Sequence, residues 1–73
     1  MLTVRTTDLA AFRAAVIACA EPAERGHSER LLGQLASLEA AATAEQLSFT
    51  PAAATSALAH RAFAHLQLTN GTG

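Results

Sequence analysis

Three histidines, one cysteine and six carboxylates are the side chains of this 73-residue chain most able to do chemistry, and their spacing limits what that chemistry could be. His60 and His65 are five apart, which places them on different faces of a helix, whereas helical zinc pairs use i and i+4. His27 lies far off in a connecting segment. Cys19 is the only cysteine, so it forms no intramolecular disulfide and completes no tetrahedral ligand set. It reads as a small buried hydrophobe on the first helix, beside Phe12 and Val16. No metal and no cofactor is expected.

The carboxylates make no stronger case. Acid–base catalysis needs two groups converging in a pocket that separates their pKa values. Glu39 and Glu45 fall on different sides of the second helix, and Glu21 and Glu24 sit in a loop. Ser28 and Ser48 read as helix caps without a base beside them. No catalytic residue is assigned, and the chain is not expected to be an enzyme. Its five basic residues are all arginine, namely Arg5, Arg13, Arg25, Arg30 and Arg61, spread through a chain of formal charge −1. Nucleic-acid binding draws on clustered positive charge to displace counterions, so nucleic acid is not an expected partner. Arg61 and His65, four apart, form a polar patch suited to a partner's carboxylate.

One stretch, Thr43-Ala44-Glu45-Gln46-Leu47-Ser48-Phe49-Thr50-Pro51-Ala52-Ala53-Ala54-Thr55-Ser56-Ala57-Leu58, resembles a bacterial helix-turn-helix. Ala44 stands at the small position of the first helix, Leu47 and Phe49 flank the turn, and Ala54 and Ala57 take apolar positions of the second helix. Ser48 stands where the turn usually has glycine. The resemblance implies a DNA-binding regulator with its motif at residues 43–58, which is the alternative functional reading. The early positions of its recognition helix, Ala52, Ala53, Thr55 and Ser56, hold no Arg, Lys, Asn or Gln to read base edges.

The elements that would position these residues are helical. Leu2 and Val4 alternate with Thr3 and Arg5 in a short extended segment, expected to lie across helices rather than to pair with its symmetry mate in a dimer. Thr6 or Thr7 caps a first helix near residues 7–20, with Asp8 in its first turn. Pro22 and Gly26 mark a connection, after which Ser28 caps a second helix near 28–46. Its Leu31, Leu35, Leu38 and Ala42 repeat at four-three-four spacing. Gly33 is expected to admit a close helix neighbour. Thr43-Ala44-Glu45-Gln46 has the spacing of a capping box, but Ala40, Ala41 and Ala42 favour one continuous helix. Thr50 and Pro51 open a third helix near 51–68, and residues 69–73 form a tail. The expected fold is all-α: one small domain over 1–73, as a three-helix bundle or a helical hairpin plus a third helix.

The third helix suggests a function. Leu58, Ala59, Ala62, Phe63 and Leu66 fill one side, while Ala57, Ala64 and Leu68 fill much of the other. A helix apolar nearly all round needs cover on several faces, and a chain of 73 residues has little to offer. The composition is 51% hydrophobic but rich in alanine, which buries little area per residue. The expectation is a non-enzymatic protein–protein interaction module, a homo-oligomer (a dimer above all) or a chaperone-like or accessory subunit of a larger protein. Its interface is expected at Leu58, Phe63 and Leu66, with Leu31, Leu35 and Leu38 as core or interface. The apolar run near Ala14 to Ala20 is too short to span a bilayer and follows Asp8 rather than a basic leader. A lone thiol suits the cytoplasm, and arginine without lysine amid abundant alanine suits a bacterial source.

Overall fold

The computed structural model describes residues 2–41 and 45–71. Its elements, in chain order, are β1 (Leu2–Arg5), a 3-10 turn (Thr6–Asp8), α1 (Leu9–Cys19), a second 3-10 turn (Pro22–Glu24), α2 (Arg25–Ala41), β2 (Gln46–Phe49), a third 3-10 turn (Ala53–Thr55) and α3 (Ser56–Gly71). The fold is therefore a small helical one with three helices and a two-stranded antiparallel sheet.

The sheet corrects two expectations. Leu2–Arg5 pairs rather than lying across helices, and its partner is Gln46–Phe49, in register Leu2 with Phe49 and Val4 with Leu47. The second helix, Arg25–Ala41 among the described residues, consequently does not run to residue 46. Gln46-Leu47-Ser48-Phe49 has the same period-two alternation as Leu2–Arg5, and pairing satisfies the backbone groups that either strand alone would leave open. On the outer side the Thr3 and Ser48 hydroxyls are 2.9 Å apart. At the end of the ladder the Thr6 amide donates to the Glu45 carbonyl at 2.8 Å.

Helix starts also move. α2 begins at Arg25, ahead of Ser28, because Glu21-Pro22-Ala23-Glu24 supplies a reciprocal capping box with proline in the first turn. At the third helix, Thr50 and Pro51 are a lead-in rather than cap and first turn. Ala52 caps the 3-10 turn, where the Thr55 amide and hydroxyl donate to the Ala52 carbonyl at 2.9 and 3.0 Å.

The core lies where the sheet, α1, α2 and α3 meet. Phe12, Val16, Leu31, Leu35, Leu58, Ala59 and Ala62 are sealed from solvent, and Leu2, Val4, Leu9, Phe49 and Leu66 are nearly so. The Phe12 and Phe49 rings pack with centroids 6.2 Å apart at 45°, a tilted geometry that aromatic pairs favour. α1 packs most extensively on α3, and the buried Ala15, Ala59 and Ala62 let the two come close. The shortest dimension of the molecule is 18 Å, about two helix diameters of roughly 10 Å each. With so few layers, each helix keeps an outer face.

Candidate interaction surface

The outer face of α1 carries no charge. Its core side is Leu9, Phe12, Ala15 and Val16, while Ala10, Ala11, Ala14, Ile17 and Ala18 are exposed. The exposed residues recur at i, i+1, i+4, i+7 and i+8, one continuous stripe along the helix. Arg13, the one charged residue of α1, leaves this stripe and pairs with Glu39 of α2. Ile17 is 65% exposed, which is unusual for a residue that gains so much from burial.

Two grooves flank the stripe. One, of 300 Å³, runs between α1 and α3 and is lined by Ala11, Ala14, Ala15, Ala18, His65, Leu66 and Thr69. The other, of 370 Å³, has Ile17 and Ala20 on one wall and Pro22, Arg25, Ser28 and Glu29 among the rest. Leu68, 71% exposed, lies three residues beyond His65 and so on its side of α3. Alanines make the centre of the surface shallow, which favours close approach of another backbone over insertion of a large side chain. Of the residues expected at an interface, Leu58 and Leu66 are instead buried within this single chain, and Leu31 and Leu35, expected as core or interface, are core. Phe63 and Leu38 are half-buried against the same core.

The polar patch is also consumed internally. Arg61 donates to the Glu24 carboxylate and, at 3.3 Å, to the carbonyl of Cys19 at the end of α1. The carboxylate awaiting Arg61 is thus in its own chain, while His65 faces the α1 groove instead. Glu24 also accepts the Glu21 amide at 3.0 Å. That amide first, and the Arg61 guanidinium next, hold the Glu24 carboxyl below the usual carboxylate range. Cys19 is half-buried and its Sγ lies 3.9 Å from the Arg61 carbonyl, so it sits beside an arginine the sequence alone did not place there.

Among the described residues no group of three or more His, Cys, Asp or Glu is arranged to hold a metal ion. His60 turns back on its own helix, with Nδ1 2.8 Å from the Ser56 carbonyl. Arg5 pairs with Asp8 at 3.2 Å. The helix-turn-helix stretch folds differently: Gln46–Phe49, where the first helix would end and the turn would follow, is a strand, and Thr43 and Ala44 lie outside the described residues. Ala54 and Ala57 are exposed rather than packed, and Thr55 is buried rather than facing a groove. No described helix is long and apolar enough to cross a membrane.

The α1 stripe has a sequence signature that a focus on the third helix passes over. Leu9–Cys19 contains a single polar or charged side chain apart from the thiol. Which apolar face would be left uncovered is a matter of packing. No family model, curated protein or solved structure matches the chain.

Proposed function

We propose that this chain is a small non-enzymatic protein–protein interaction module, a homo-oligomeric or accessory subunit that docks through the outer face of α1. The observation that carries this reading is that α1, 11 residues long, is apolar on both sides, yet the described residues cover only one of them. A helix apolar all round belongs in an interior, and small domains gain proportionally more from a partner's cover than large ones do. The partner chemistry that fits is an apolar helix face with small residues at its centre, from a second copy or from a larger protein. A reducing, cytoplasmic setting belongs to the same proposal, since it would keep Cys19 a free thiol.

The test is solution mass by light scattering over a dilution series, comparing the wild type with the Ala14→Asp, Ile17→Asp double variant. The wild type is expected above the monomer mass of 7.5 kDa, and the variant lower at equal concentration with unchanged helicity by circular dichroism. Identical masses for the two proteins would remove α1 from the reading.

A further inference from the structure

We propose that the open edge of β1 pairs with β1 of a second copy of this chain, joining two sheets into one four-stranded antiparallel sheet about a two-fold axis at Thr3. This goes beyond the docking face of α1 and uses a separate surface. The Thr6–Glu45 bond marks a hydrogen-bonded pair. Alternation along the register then makes Val4–Leu47 and Leu2–Phe49 hydrogen-bonded and turns the Thr3 amide and carbonyl away from β2. Among the described residues the sheet has no third strand to receive them.

A groove of 280 Å³ follows that open edge. Thr3, Val4 and Arg5 form one wall, and Phe63, Leu66 and Gln67 of α3 form the other; no β2 residue lines it. Strand edges that must stay single are commonly guarded by proline, bulges or free charge. β1 is Leu-Thr-Val-Arg, and its one charge is held by Asp8. The occupant that fits is an extended backbone, and the sequence of β1 is complementary to itself. With Thr3 opposite Thr3 of the second copy, two reciprocal N–H···O bonds form. Leu2 then faces Val4 of the second copy on the core side, and the two Arg5 side chains lie at opposite ends, so like charges do not oppose. The half-buried Phe63 would lose its remaining exposure beneath the joined edges.

The deciding measurement is amide hydrogen exchange of the full chain across a dilution series, read at Thr3 and, as the far-edge control, at Ser48. Thr3 protection is expected to rise about tenfold for each tenfold rise in dimer-to-monomer ratio, while Ser48 exchange stays independent of concentration. Thr3 exchange that ignores concentration, or dependence at Ser48 instead, overturns the pairing. Thr3→Pro removes the outward amide without touching a β1–β2 bond, and Ser48→Pro does the same on the other edge. Association lost in Thr3→Pro and kept in Ser48→Pro supports the pairing. Association lost only in Ala14→Asp, Ile17→Asp overturns the edge and leaves the α1 reading standing; the reverse pattern overturns α1 alone.

Discussion

Arg61, near the middle of α3, closes the junction between α1 and α2: its guanidinium is bound at once by the Glu24 carboxylate and by the last carbonyl of α1, at Cys19. A cation at a helix C-terminus is favourable by itself, and the carboxylate beside it fixes the guanidinium in place. The end of α1, the turn that opens α2, and the distant α3 thus meet through one side chain.

That relationship has a pH signature. Glu24 has a folded pKa below its unfolded value, so its contribution to stability is complete above the ordinary glutamate pKa and is lost as pH falls through the lowered one. Thermal melts of the wild type and Glu24→Gln should therefore differ most near neutral pH and converge in acid. A gap that widens as pH falls would contradict the arrangement.

Leu58 and Leu68 sit on the same helix with opposite surroundings, one sealed and the other 71% exposed. Leu58→Ala should cost about 2–5 kcal/mol of unfolding free energy by chemical denaturation, from lost transfer and the cavity left behind. Leu68→Ala should stay within about 0.5 kcal/mol for the isolated chain.

Gly33 lies exposed within α2, and a Cβ built on it meets nothing within 4 Å. The close neighbour expected from the sequence is not there among the described residues. Gly33→Ala should accordingly raise stability by about 0.5–1 kcal/mol, through helix propensity and a less free unfolded chain. A loss would mean that something does occupy that space in solution.

Ala62 is sealed in the core, within α3, the helix against which α1 packs most extensively. Ala62→Leu should destabilise by about 1–3 kcal/mol despite the greater hydrophobicity, since a tightly packed site must shift to admit the added carbons. The comparison with Ala64→Leu, at an exposed position of the same helix, checks that the effect is steric.

Much of the architecture was legible in residue order. Leu31 and Leu35 lie on the core side because spacing of three and four keeps residues on one face whatever they pack against. The alternation of Leu2–Arg5 marked an extended segment for an equally local reason. Gln46–Phe49 was obscured by the alanines before it, whose helix propensity favours continuation; a pairing bond 40 and more residues away in sequence outweighed that local preference.

By itself, then, the sequence determined the helical class, the apolar stripes and the want of a clustered positive charge, because these follow from propensity, periodicity and composition. Only the tertiary structure decided that Arg61 is spent on Glu24, that Leu58 and Leu66 are core, and that the described residues leave the outer stripe of α1 and the edge of β1 open. Those outcomes depend on which surfaces meet when three helices and two strands close around one another, a long-range choice that no local spacing encodes.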